Sequence, residues 1–383
     1  MEQSYVSLRD CPICKKRSSL ILGRMKYDLF DNLNMPGTKT LVSCNKCGMM
    51  YDDTAFTEEQ LQEYYRLNEH CNLPGRGGSG GSMNDENLRY NRIIDTLGTV
   101  NDGIVLDFGC GQGGFLAQCL NRGFCAAGIE PSAKNREVAG KTGLDVYESM
   151  DAFIDENGSS KIRAVVFSHV LEHLMHPLHI VRVIAQYAEN ASVYIEVPDA
   201  ASYLSVDSPR WQEIYFEHIC HFRKHDLAEL ARRAGINILK EERISFSKSQ
   251  KDTHCLVLVG RFSTIVENVK GSMPPISYCP GPLPSLAAEI TLPDNSPLAL
   301  WGISQYAMLL MGSCPELAAR VKRLFDASPG KIGRSINGII IESANKLSTL
   351  SDEVTLLIPK SIYLEQMQSQ LLDSGFNGAV QVI

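Results

Sequence analysis

The sequence predicts an α/β protein whose centre is a doubly wound sheet with helices on both faces. A small cysteine-bound unit precedes it and a smaller α/β unit follows. Three observations predict this. Strand and helix signals alternate over residues 85–260, residues 104–114 read I-V-L-D-F-G-C-G-Q-G-G, and two C-x-x-C pairs lie within the first fifty residues.

The 383 residues are enough for two or three domains of about 100–200 residues each. A hydrophobic content of 44% with 21% charged residues is ordinary for a globular chain. A net charge of −7 argues against nucleic acid or an anionic membrane as the partner, since both need a basic surface. No apolar run approaches the roughly 20 residues of a membrane span, and MEQSYVSLRD has no signal pattern, so a cytoplasmic location is expected.

Cys11-Pro-Ile-Cys14 and Cys44-Asn-Lys-Cys47-Gly48 are two knuckles whose four thiolates satisfy tetrahedral zinc. Such a closed shell leaves no position for chemistry, so the zinc expected over residues 1–56 is structural. A redox C-x-x-C or unrelated cysteines are the alternatives. Residues 57–84 combine a helix, with Thr57 and Gln60 at capping-box spacing, and the glycine-serine stretch 73–84, which is either a linker or a lid.

Over 85–262 helix 86–97 leads to strand 103–108, helix 113–122 to strand 124–130, and strand 163–168 to helix 176–189 and strand 192–197. Helix 225–234 stops at Gly235, and strands 236–244 and 254–260, with no helix between them, are expected to pair antiparallel. Prolines mark 263–297 as a linker, and 298–383 opens a second α/β unit with LALWGIS.

The chemistry centres on Asp107-Phe108-Gly109-Cys110-Gly111-Gln112-Gly113-Gly114. Glycines let the backbone turn sharply and approach a ligand, and the helix they open presents free amides. The spacing is G-x-G-x-G rather than the G-x-G-x-x-G of dinucleotide folds. Asp107 would repel a pyrophosphate and suits an ammonium group. Glu130 ends the next strand, where a carboxylate accepts hydrogen bonds from both hydroxyls of a ribose.

Seven of the nine histidines fall between 169 and 225, and histidine is the usual proton carrier near neutral pH. His169 and His173 would share a helical face, but no acid stands at the spacing of a third metal ligand. Tyr215-Phe216-Glu217-His218 puts a phenol, a carboxylate and an imidazole within four residues. It is either an acceptor site or a buried polar cluster fixing a loop.

The glycine turn and Glu130 resemble those of the class I S-adenosylmethionine-dependent methyltransferases, and so does Phe167-Ser168-His169-Val170-Leu171-Glu172-His173-Leu174. The resemblance implies a Rossmann-like fold, S-adenosylmethionine as cofactor, Asp107, Gly109, Gly111, Gly113 and Glu130 as its ligands, and His169 beside its methionine end.

The order of ribbon cysteines, glycine turn, Tyr-x-Glu-His and the C-terminal Phe325-Asp326-Ala327-Ser328-Pro329-Gly330-Lys331-Ile332-Gly333 further resembles the sugar C-methyltransferases that act on nucleotide-linked keto-sugars. That likeness implies His218 as the base that deprotonates the carbon next to a ketone, with Tyr215, Glu217 and His173 assisting. This chain departs from the family where a tyrosine usually precedes the lid. It has His70-Cys71-Asn72-Leu73-Pro74 there, with Tyr64 and Tyr65 further back. An O- or N-methyltransferase of a related small metabolite stays open, as do a dinucleotide-dependent oxidoreductase and a catalytically silent zinc-ribbon binding protein. Oligomeric state is not legible.

Overall fold

The structure, a computed structural model, describes residues 5–54, 56–67, 83–98, 100, 102–158, 161–204, 214–248, 251–263, 290–293, 295–360 and 364–383. Most of the glycine-serine stretch and of the proline-rich linker lies outside them.

The N-terminal unit consists of β1 (Tyr5–Val6), β2 (Ser18–Lys26), β3 (Thr38–Cys44) and β4 (Met50–Asp52) in an antiparallel sheet, followed by α1 (Glu58–Leu67). α1 begins with the reciprocal capping box: Thr57 N–H donates to Gln60 Oε1 at 3.0 Å and Gln60 N–H to Thr57 Oγ1 at 3.2 Å.

The central unit starts with α2 (Met83–Leu97) and continues through β5 (Ile104–Phe108), α3 (Gly114–Asn121), β6 (Cys125–Ile129), α4 (Ala133–Lys141), β7 (Val146–Tyr147), α5 (Met150–Asn157), β8 (Ile162–Ser168), α6 (Pro177–Tyr187), β9 (Ser192–Pro198), β10 (Cys220–His221), α7 (Lys224–Arg233), β11 (Ile236–Lys248) and β12 (Lys251–Phe262). Its sheet runs β11-β12-β9-β8-β5-β6-β7. β9, β8, β5, β6 and β7 are parallel, while β12 and β11 close the edge antiparallel. Strands such as IVLDF and IRAVVFS are nearly continuous apolar runs because helices cover both faces. The strand order reverses between β5 and β8, so a crevice opens at the carboxyl ends of these two strands, where open α/β sheets bind their ligands, with β6 beside it.

Residues 133–157 hold two helices and a strand that the sequence signals did not resolve. Both helices are short and bury only two residues each, and both are announced only by a serine cap. Ser132 accepts from Asn135 N–H and Ser149 from Ala152 N–H.

The C-terminal unit is a second, mostly parallel sheet of β13 (Leu298–Trp301), β14 (Val321–Asp326), β15 (Ser335–Ile336), β16 (Ile339–Ser343), β17 (Thr355–Ile358) and β18 (Val380–Val382). Its helices are α8 (Gln305–Ser313), α9 (Pro315–Arg320) and α10 (Leu364–Ser374).

The three units are not beads on a string. β10 leaves the central unit and pairs with β4, Cys220 opposite Tyr51 and His221 opposite Met50, becoming the fifth strand of the N-terminal sheet. That sheet is buried on both sides. Ile13, Val42, Met49 and Tyr51 join the core of the central sheet, whereas Leu22, Met25, Leu41 and Met50 join the core of the C-terminal unit. The N-terminal sheet is therefore a wedge between two α/β layers.

At its C-terminal face the fit is close. Asp28 N–H donates to Met308 O at 3.0 Å, Ser313 Oγ donates to Lys26 O at 2.9 Å, and a Cβ on Gly312 would stand 2.3 Å from Lys26 O. The obstacle is backbone on both sides, so it cannot yield by a rotamer change. Gly312→Ala should destabilise the chain by about 1–3 kcal/mol, the usual cost of overpacking. Thermal unfolding checks this; an unchanged Tm would show that the wedge does not hold α8.

Candidate active site

The turn after β5 has the shape its glycines require. Gly109, Gly111 and Gly113 have φ of 78°, 56° and 83°, a region that costs other residues strain. Gly109 is also pressed against Val170, 2.7 Å from where a Cβ would lie. Glu130, the first residue beyond β6, folds back under the turn. Its carboxylate accepts from Gly111 N–H at 3.0 Å and Ser132 N–H at 2.9 Å. It braces the glycine loop at the crevice and is largely buried there.

Asp107 is buried at the end of β5. Burial pushes its carboxyl up to about 7, with Glu130 adding to the rise and Arg89 opposing it. A carboxyl poised there ionises when a cation arrives.

Arg89 of α2 pairs with Glu86 and donates to Ser168 Oγ at 3.2 Å, at the carboxyl end of β8. Sequence alone does not mark it, because nothing in a helix upstream of the glycine strand tells which side chain reaches the end of β8. Arg89 lies within electrostatic reach of Asp107, so a guanidinium and a carboxyl serve the same site, the complement of an amino-acid zwitterion.

His169 follows β8 with φ 55°. It lies outside the short 3₁₀ turn Leu171–His173, so it does not share a helical face with His173. Its Nδ1 is 3.3 Å from Glu172 and its Nε2 3.4 Å from Glu196. Burial opposes its charge, but Cys255 and the two carboxylates outweigh burial and raise its pKa well above the ordinary imidazole value. Glu196 would be raised by burial, yet His169, Arg92 and Arg89 hold it down to about 2.

An acid at the end of the apolar run Tyr194-Ile195-Glu196 was the available signal for this network. Glu172 supplies the carboxylate that spacing did not reveal. His169, Glu196 and Cys255 form one group with donor atoms within 4.8 Å, and Glu172, His173 and His218 form another. His169 stands between them as the shared counter-charge.

Tyr215, Glu217 and His218 lie on the loop that runs into β10, opposite His173. His173 Nδ1 donates to Glu217 O at 3.2 Å, and Ile219 N–H donates to Glu172 O at 2.6 Å, so the loop is sewn to the 171–173 turn. The His218 ring lies 5.0 Å from His173 and 4.9 Å from Tyr215, centroid to centroid. Burial pushes His218 well below the usual imidazole range, aided by His173, His221, Lys39 and His169. His218 is thus neutral at physiological pH, the form a general base needs. Tyr215 is 39% exposed and faces out of the fold. Tyr64 of α1 donates to Glu217 Oε1 at 2.8 Å, bringing the N-terminal unit into the site.

Cys11, Cys14, Cys44 and Cys47 gather all four Sγ atoms within 4.8 Å of one another. The closest pairs are 3.4 and 3.5 Å. Tetrahedral zinc with bonds of about 2.3 Å places its sulfurs about 3.8 Å apart, so the set fits that ion. Each knuckle turns through a left-handed residue, Lys15 or Gly48, whose N–H closes on the carbonyl of the first cysteine of the pair.

Two measurements follow. If Asp107 meets the ammonium of S-adenosylhomocysteine, binding below pH 7 first removes its proton. Calorimetric Kd should then be flat just above pH 7 and rise roughly tenfold per unit below it, a slope that Asp107→Asn abolishes. A pH-independent wild-type Kd refutes the contact. Elemental analysis should find about one zinc per chain, lost with a lowered Tm in Cys44→Ser; a variant that keeps both metal and Tm would remove the ribbon assignment.

Comparison with known proteins agrees with the geometry. Residues 84–241 match the family model described as a methyltransferase domain. No curated protein matches the chain. Similar solved structures include an S-adenosylmethionine-dependent methyltransferase from Archaeoglobus fulgidus (16% identity, 52% of this chain and 99% of that one, TM-score 0.37). They also include one from Aquifex aeolicus (16%, 45% and 89%, TM-score 0.35). A third is the N-methyltransferase NodS from Bradyrhizobium japonicum WM9 in complex with S-adenosyl-L-homocysteine (12%, 52% and 98%, TM-score 0.38). Residues 84–241 are thus a methyltransferase domain, and the sheet that carries it is Rossmann-like.

Proposed function

We propose that the enzyme C-methylates a nucleotide-linked keto-sugar, with His218 as the base. The observation that carries this reading is the placement of a neutral, buried His218 between Tyr215 and His173, on the loop facing the 171–173 turn of the methyltransferase domain. Carbon next to a ketone is acidic enough for a neutral imidazole to deprotonate, whereas a sugar carbon without the ketone is not.

Asp107, Glu130 and the amides after Gly109 hold the amino-acid and ribose parts of S-adenosylmethionine, which supplies the methyl group when bound. The acceptor lies against Tyr215. His218 takes the proton from the carbon next to the ketone, and Tyr215 donates to the oxygen on which the enolate charge develops. Glu217, held by Tyr64 Oη and with its backbone carbonyl on His173, orients the pair. Fixing acceptor and donor in line supplies much of the rate. The four cysteines hold a structural zinc that takes no part in the transfer.

The probe is a nucleoside diphosphate-linked 4-keto-6-deoxyhexose incubated with S-adenosylmethionine. A product heavier by one methylene, with its new bond to carbon, is expected, together with exchange of the adjacent carbon-bound proton with solvent deuterium. His218→Ala should lower kcat about 10²–10⁴-fold with cofactor affinity unchanged. Full transfer by His218→Ala removes the base, and methyl found on oxygen or nitrogen replaces the acceptor chemistry.

A further inference from the structure

The loop 215–218 is closed by one turn hydrogen bond, from His218 N–H to Tyr215 O at 3.2 Å, and three of its carbonyls converge on one point. That point is the ammonium of Lys39, on β3 of the N-terminal unit. Lys39 Nζ donates to Tyr215 O at 2.9 Å, Phe216 O at 2.7 Å and His218 O at 3.0 Å, and it pairs with Asp52 of β4. Lys39 and Asp52 are both fully buried.

Four oxygens around one ammonium use all its donors. A buried ion pair is a poor way to gain stability, because apolar side chains of the same size usually serve as well. What apolar side chains cannot do is draw three carbonyls of one loop to a single point. With these three carbonyls on Lys39, the Tyr215 ring is left partly exposed, and the Phe216 ring packs into a box formed by Tyr27, Phe56 and Tyr64. The N-terminal unit grips the following residues as well, since Asp52 N–H donates to Ile219 O at 2.9 Å and β4 pairs with β10.

We propose that Lys39 is a positioning residue for the methyl-transfer site: its ammonium shapes the 215–218 loop and sets His218 against the acceptor, which makes the cysteine-bound N-terminal unit part of the catalytic apparatus. The inference rests on the reading of His218 as the base.

Lys39 also acts on His218 through its charge. The groups that face that imidazole are Lys39 from β3, Glu172 and His173 from the 171–173 turn, His169 from the end of β8, His221 from β10, and Tyr215 from its own loop. Lys39 is one of the cations among them that disfavour protonation of His218. Removing it should raise the His218 pKa, and the acid limb of the rate, which needs neutral His218, should move to higher pH.

The test uses the full zinc-loaded chain with Lys39→Met and Asp52→Asn combined, so that no lone buried charge remains. Zinc content and S-adenosylhomocysteine affinity by calorimetry report whether ribbon and cofactor domain survive. Both are expected to stay within about twofold of wild type. On the keto-sugar probe kcat should fall about 100-fold with a smaller change in KM, and nuclear magnetic resonance titration of nitrogen-labelled histidine should show the His218 pKa raised.

A double variant that keeps zinc and cofactor and transfers methyl at the wild-type rate overturns the proposal, as does an unmoved His218 titration. If that variant loses zinc, Lys39→Gln with Asp52→Asn, which keeps two donors without charge, takes its place. It is expected to show a smaller loss of kcat and the same rise in the His218 pKa, and wild-type values for both again overturn the proposal. A wild-type enzyme that ignores the probe refutes the acceptor reading alone, because the His218 titration still decides the role of Lys39.

Discussion

The site hangs on a single buried contact, the ammonium of Lys39 held against Asp52 and three loop carbonyls. Around it the three units meet. The loop 214–221 leaves the central unit, threads the N-terminal sheet as its fifth strand, and touches the C-terminal unit where Phe216 N–H donates to Gln305 Oε1 at 2.7 Å. Tyr27 Oη donates to Ile214 O at 2.7 Å and Arg223 Nη2 donates to Gly48 O at 2.6 Å, closing the same seam from both ends. A loop carrying a buried imidazole needs such constraint, because catalysis tolerates little error in placement. The small cysteine-bound sheet has too little core to be rigid alone. Four sulfurs around one ion would make it rigid enough to serve as an anchor.

The cofactor crevice is built on a different principle. There the backbone does the work, through three left-handed glycines and a carboxylate folded beneath them. It was the most legible part of the sequence because each of its requirements is local. A turn that only glycine tolerates, an acid two residues before the first glycine and a second acid at the next strand end all lie within two dozen residues. The doubly wound sheet was legible for the same reason, since near-continuous apolar strands alternating with helices admit few other folds.

What escaped the sequence was every relation between distant residues. Lys39, Asp52 and Tyr64 look like ordinary ribbon and helix residues, and the pairing of β4 with β10 spans more than 160 positions. Arg89 looks like one more charge on an amphipathic helix until the fold brings it to Ser168 and within electrostatic reach of Asp107. The 133–157 helices were missed for a subtler reason. Their apolar faces are only a few residues wide, so cap chemistry rather than periodicity marks them. The four cysteines, by contrast, announce themselves by spacing alone.

The clearest case of context deciding chemistry is the pair His169 and His218. Both are imidazoles in one polar cleft, and nothing in the sequence ranks one above the other. His169 lies between Glu172 and Glu196 and is pushed toward its charged form; His218 lies among His173, His221, Lys39 and His169 and is pushed toward its neutral form. The two shifts are linked, because charge on His169 is one of the influences that keep His218 neutral. A site that must hold a cationic cofactor and also remove a proton needs negative charge near the first task and an unprotonated base near the second. The carboxylates Glu172 and Glu196 bracket His169, and Lys39 stands behind the loop that carries His218. Two histidines that cannot be told apart by spacing thereby receive opposite roles from the charges that folding brings around them.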